Sequence, residues 1–217
     1  MEQKPRPQLD PAQMAHWNIT DFLKKLASEE PIPGGGSVAA LAGALGAALI
    51  VMYCKIGAGR KGISGDDQEV LQKISLEATA YQQKLTRLIT EDSLAYGEVM
   101  EAFKLPKATE EEAKLRQEAI QKAFRKAVEV PLQTLNHCIE CLYLIAEVAM
   151  FGNPSAFSDI KVAEYLCTAG AKGALENIEI NLQSLKDPDY LKDTESKAKK
   201  LRESLEQVSK QKIERPV

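Results

Sequence analysis

Two acidic side chains stand where the pattern of the sequence calls for apolar ones. From about Asp67 to Phe103 apolar residues recur every seven. One row reads Leu71, Ala78, Leu85, Asp92, Val99, and the other Ile74, Tyr81, Leu88, Ala95, Ala102. Asp92 breaks the first row. A carboxylate on the inner seam of packed helices is costly unless it is hydrogen-bonded, paired or protonated. Burial also moves its proton affinity toward the working pH, which is what a general acid or base needs. A structural carboxylate that pairs with a lysine or fixes helix register would occupy the same place. Asp159 is the second. It opens a helix on the row that continues through Leu166, Gly173 and Ile180, where a carboxylate also suits the positive helix end. Asn177 shares that face but lies about 27 Å along the axis, too far to meet the same small ligand. Asn177 and Asn181, one turn apart, form a separate candidate hydrogen-bonding pair.

Glycine supplies the third candidate. Gly34, Gly35, Gly36 and Ser37 precede a long uncharged run, offering backbone N–H groups with no side chain in the way and a positive helix end behind them. There is no Lys-Ser/Thr pair for a phosphate loop and no preceding strand for a dinucleotide fingerprint. His137, Cys138 and Cys141 cluster on part of one helix surface. With no second Cys or His pair to complete a zinc site, they read as core residues, and no metal is expected. Two histidines in the whole chain give a Ser-His-Asp hydrolase no support.

The elements that position these residues are helices. Strand alternation and hairpin turns are absent, and helical periodicity recurs throughout. The pattern predicts a first helix from a Thr20 cap carrying Phe22, Leu23 and Leu26. An Ala/Gly-rich helix over Ser37–Cys54 follows, and then a polar connection from Gly57 to Asp67. The long seam helix comes next. After it a helix capped by Thr109 runs toward Met150, with Pro131 expected to kink or break it. Asn153-Pro154 marks a turn, with Ser155 or Ser158 as cap, before a helix reaching about Leu185. A charged amphipathic helix closes the chain. The Ser37–Cys54 run is barely long enough to cross a membrane and too rich in Ala and Gly to favour lipid, so it is expected to be buried in protein. Small residues at Ala39, Gly43 and Ala47 would let another backbone approach it.

The chain has 217 residues and a net charge of −3, which argues against a binder of nucleic acid dominated by phosphate contacts. The opening residues lack the apolar core of a signal peptide. The four cysteines read as reduced thiols, so a cytoplasmic location away from any membrane is expected. The expected architecture is one all-α domain over residues 1–217, a bundle of long helices around a central buried Ala/Gly-rich helix, dimerising through helices. Residues 1–15 are expected to be a flexible lead-in.

Four stretches together resemble the formiminotransferase-cyclodeaminase C-terminal domain family, whose members include stand-alone methenyltetrahydrofolate cyclohydrolases. They are PIPGGGSVAALAGALGAAL, EDSLAYGEVMEAFKLPK, VPLQTL and GNPSAFSDIKVAEYLCTAGAKGALENIEINLQSLKD. The resemblance runs from about Phe22 to Asp187. It implies an all-α fold, a homodimer or higher assembly, and a tetrahydrofolate derivative as substrate with no separate cofactor. Two reactions follow: hydrolysis of 5,10-methenyltetrahydrofolate to 10-formyltetrahydrofolate, or cyclisation of 5-formiminotetrahydrofolate with loss of ammonia. A non-catalytic folate-binding helical dimer is the remaining alternative. On this reading Asp92 and Asp159 are the catalytic candidates, stabilising a cationic one-carbon unit and moving protons. Gly34, Gly35, Gly36 and Ser37 would bind the pterin or a folate carboxylate. Lys61 and Lys172 are candidates for the glutamate tail or for proton donation, and Asn153 would shape the pocket.

Overall fold

A computed structural model describes residues 9–215. Among them are six α-helices, two short 3-10 helices and no strand. The helices are α1 (Ile19–Leu26), α2 (Gly35–Ala58), α3 (Gly65–Lys104), α4 (Glu110–Val148), α5 (Phe157–Leu182) and α6 (Pro188–Val208). Of the expected flexible lead-in, residues 1–8 lie outside the described residues. Pro11–His16 form a 3-10 helix whose Met14 is buried against α3.

Helix starts follow local chemistry. The Thr109 hydroxyl accepts the Glu112 N–H, and the Glu112 carboxylate accepts the Thr109 N–H, so α4 opens with a reciprocal cap. Asn18, not Thr20, caps α1: its side-chain oxygen accepts the Asp21 N–H at 2.9 Å. The Gly57–Asp67 connection is shorter than expected, because α2 continues to Ala58 and Ser64 caps α3 just before Gly65.

Pro131 does not break α4. The carbonyl of Ala127, which a residue with an N–H at position 131 would have satisfied, instead accepts from Asn181 Nδ2 of α5 at 2.8 Å. One side chain thereby repairs the ladder and ties two helices together. Asn177 donates to the Gly173 carbonyl at 2.8 Å, so the two asparagines serve separate backbones and do not pair.

α2 runs antiparallel to both α3 and α5. Its small residues decide how close they come: a Cβ on Gly46 would lie 2.4 Å from Cys167 Sγ, and one on Gly170 would lie 2.8 Å from the Ala39 carbonyl. α2 also touches α4, yet Val38, Leu45, Met52 and Ile56 remain between 36 and 49 % exposed. They recur every four to seven residues, so an apolar stripe of α2 faces outward. α6 lies across α4 and α5, burying Thr194, Leu205 and Val208.

Candidate active site

The site grows from the start of α2. Gly34 is its N-cap and supplies no side-chain cap, so the first backbone N–H groups have no partner within the helix. Asp92, reaching across from α3, takes that place. The Ser37 hydroxyl donates to its carboxylate at 2.9 Å, and the Ser37 backbone N–H also favours its charged form. Gly36 makes the approach feasible: a Cβ there would fall 2.0 Å from Asp92 Oδ1 and 2.5 Å from Cγ. The three glycines are not equivalent. A Cβ on Gly35 would meet nothing closer than Asn177 Nδ2 at 3.7 Å, and one on Gly34 nothing closer than the Pro31 carbonyl at 3.5 Å.

Burial raises the Asp92 pKa above the ordinary carboxylate value, and the two hydrogen bonds from Ser37 only partly oppose it. No charged side chain contributes to the shift. Asp92 is therefore an unpaired, partly buried carboxyl of raised proton affinity at a positive helix end.

Ser37 itself is fully buried. Its hydroxyl lies 2.9 Å from Asp92 Oδ2, 2.9 Å from the Ile89 carbonyl and 3.0 Å from Ser93 Oγ. Within the chain, then, the Ser37 hydroxyl is engaged with Asp92 and α3. Sequence reasoning missed Ser93, which lies off both apolar rows and whose only signal is adjacency to Asp92. A cleft of about 710 Å³ between Ile32, α3 and the Ala119–Ala123 stretch of α4 meets this network at Ser93, while Asp92 and Gly34–Ser37 do not line it. Ile32 and Ser93 form its inner wall, Ala102 and Leu105 its apolar side, and Glu98, Glu101 and Lys122 its polar rim. Its size suits a small-molecule ligand.

The remaining sequence candidates are elsewhere. Gly46 packs against the Ala163 carbonyl, which puts Asp159 about 20 Å along α2 from Asp92. Asp159 is partly exposed in the first turn of α5. Asn153 lies just beyond it, where its side-chain oxygen accepts the Ser155 N–H at 2.9 Å and caps the short helix before α5. That role replaces the capping expected of Ser155 or Ser158. Lys61 is exposed past the C-terminal end of α2, and Lys172 is exposed on α5 near the glycine end. A single chain thus brings together Gly34–Ser37 and Asp92 but leaves Lys61, Asn153 and Asp159 at the opposite end of α2.

Among the described residues, no group of three His, Cys, Asp or Glu side chains is placed to hold a metal. Cys138 and Cys141 are core residues, with burial pushing the Cys138 thiol up. His137 is pushed down to about 4, first by burial and then by Lys84.

Residues 18–200 match the family described as Formiminotransferase-cyclodeaminase. The chain belongs to that family. Membership covers every residue of the site just described. A methenyltetrahydrofolate cyclohydrolase of Methylorubrum extorquens is 39% identical over 172 residues, spanning 78% of this chain and 81% of that protein. The formimidoyltransferase-cyclodeaminase of Mus musculus is 34% identical over 177 residues, which are 82% of this chain and 32% of the mouse protein. The crystal structure of a formiminotetrahydrofolate cyclodeaminase from Thermotoga maritima superposes with a TM-score of 0.80 at 26% identity, covering 90% of this chain and 93% of that one. This family member therefore has relatives named for each of the two reactions, and the first spans most of both chains.

Proposed function

We propose that this protein is a folate one-carbon enzyme that hydrolyses 5,10-methenyltetrahydrofolate to 10-formyltetrahydrofolate, with Asp92 moving the protons. The observation that carries the reading is the Asp92 carboxyl itself: raised in proton affinity, without a cationic partner, and seated on a glycine helix start beside a cleft. The substrate's bridging carbon is an amidinium cation, and an ionised carboxylate nearby stabilises it. Water adds to that carbon while Asp92 accepts one of its protons, giving a neutral carbinolamine. Asp92 then gives this proton to N5 as the carbon–N5 bond breaks, and the carbinol hydroxyl loses its own proton as the formyl C=O forms. One proton leaves to solvent overall. The cyclohydrolase reading is favoured over the cyclodeaminase one by the relative of similar length, at 39% identity.

The assay follows loss of methenyltetrahydrofolate absorbance, corrected for spontaneous hydrolysis, alongside ammonia release from 5-formiminotetrahydrofolate. Rapid loss in the first supports the cyclohydrolase; ammonia alone makes the protein a cyclodeaminase. Silence in both would leave only the folate-binding helical dimer.

The reading extends to a second copy of the chain. The exposed stripe of Val38, Leu45, Met52 and Ile56 is self-complementary about its midpoint, which suits a two-fold contact. Of the most apolar stretch of α2, 56% is buried within one chain, and an antiparallel α2–α2 contact would cover most of the rest. The same arrangement carries one chain's Lys61, Asn153 and Asp159 toward the partner's Asp92, reuniting the residues that one chain separates. Leu45→Glu should leave a folded monomer with turnover reduced about 10²-fold or more, although Leu45 lies about 14 Å from Gly36 along α2. Sedimentation and turnover are measured together. A fully active monomer would overturn the shared site.

A further inference from the structure

The hydroxyls behind Asp92 have more acceptors than protons. Ser37 has one O–H and two acceptors at 2.9 Å, the Asp92 carboxylate and the Ile89 carbonyl. Ser93 also has one O–H and two candidate acceptors, Ser37 Oγ at 3.0 Å and Met14 Sδ at 3.4 Å. The cluster is buried, with Ser37, Ser93 and Met14 each no more than 2 % exposed. Each proton must therefore choose, and the choice depends on Asp92.

We propose that Ser93 is a positioning residue for Asp92, and that Ser93, Ser37 and the Ile89 carbonyl form a relay whose hydrogen bonds reverse as Asp92 gains or loses a proton. With Asp92 ionised, Ser93 donates to Ser37 and Ser37 donates to the carboxylate. When Asp92 is protonated, its O–H donates to Ser37 Oγ and the Ser37 O–H turns to the Ile89 carbonyl. The Ser93 O–H then has Met14 Sδ as its second outlet. Only hydroxyl protons rotate, so neither state leaves a buried donor or acceptor unpaired, and no heavy atom moves. A carboxyl that must take a proton from water and then deliver it to N5 is served by such a relay. In this respect the inference rests on the reaction proposed above.

The groups packed against Asp92 do not supply a competing explanation. The facing part of α2, Gly34–Ala40, carries no charge, and Asn177 of α5, which approaches α2 at Gly35, is neutral. On α3 the adjacent Glu91 is exposed. From the N-terminal 3-10 helix, Met14 is the residue that reaches the cluster.

The test is a carboxyl titration, which requires no substrate. Protein labelled with 13C at aspartate side-chain carboxyls is titrated by NMR, and the Asp92 signal is assigned by its absence in Asp92→Asn. Ser37→Ala should raise the Asp92 pKa by about one unit or more, because the ionised form loses its direct donor. Ser93→Ala should raise it by about half a unit, because the Ser37 donor is no longer polarised from behind. Met14→Leu repacks the same spot at similar volume and removes no donor, so it should produce no upward shift. The inference is overturned if Ser93→Ala leaves the Asp92 pKa unmoved or lowers it, or if Met14→Leu raises it equally. Should the titration order hold while no folate compound turns over, the relay stands and the assigned reaction fails. An active enzyme without the order means the reverse.

Discussion

The sequence offered catalytic candidates in Asp92 and Asp159, and the structure puts them at opposite ends of α2, in different kinds of place. At the N-terminal end, Asp92 meets bare helix N–H groups, a buried hydroxyl cluster and a cleft, and its proton affinity rises. At the C-terminal end, Asp159 is a partly exposed carboxylate in a helix first turn, Asn153 is committed to a backbone cap and Lys61 faces solvent. What separates them is not residue type but what each carboxylate finds on arrival. A free helix start with no Cβ at Gly36 lets Asp92 approach the helix end closely and lose solvent.

Substitutions at the two ends should part company in size. The largest effect short of removing Asp92 is expected from Gly36→Ala. Its methyl group collides with the Asp92 carboxyl, so turnover should fall about 10²-fold or more even though alanine favours a helix. Activity close to wild type would mean that Asp92 need not sit on the helix start. Asp159→Asn should reduce turnover by about 10-fold. That is the weaker end of the range for an electrostatic or orienting contribution, made to the partner's site. A loss matching that of Asp92→Asn would make the two ends equal partners in proton transfer. Gly35→Ala, one residue from the largest effect, should leave stability within about 0.5 kcal/mol and activity nearly intact, since its Cβ has room. Thermal melts and turnover on the same preparations measure all three.

Stability against pH reports on Asp92 directly. Because the folded-state pKa of Asp92 is raised, the folded protein holds this proton more tightly than the unfolded chain does. Stability from this group is therefore greatest below the ordinary carboxylate pKa. It declines as pH rises from there through the raised folded value. Asp92→Asn should melt a few degrees higher than wild type at neutral pH, with the gap closing on acidification, as read by parallel melts across pH. A lower melting temperature at neutral pH would mean that the ionised carboxylate supports the fold.

The helical architecture was legible because seven-residue rows such as Leu71–Ala78–Leu85 report directly on which face is buried. Asp92 was legible for the same reason: it is the one charge on those rows. Ser93 was not, since a small polar residue beside the seam carries no periodic signal. The contacts of Ser37 were not legible, because a sequence shows that a hydroxyl follows three glycines but not which helix covers it. Pro131 was expected to kink or break α4. The helix continues through it, and the Ala127 carbonyl it leaves free is served by Asn181, 54 residues away. Contacts of that span are set by packing and leave no local trace. Whether the stripe on α2 would be exposed was likewise invisible, since Leu45 and Ile50 look alike in a run of apolar residues while only Ile50 is buried.

The most direct measurement is the turnover of Asp92→Asn on 5,10-methenyltetrahydrofolate, with circular dichroism confirming the fold. The account predicts an intact helical protein whose rate is lower by about 10²-fold or more, the scale of lost acid–base help. A folded Asp92→Asn protein that turns over at the wild-type rate would contradict it.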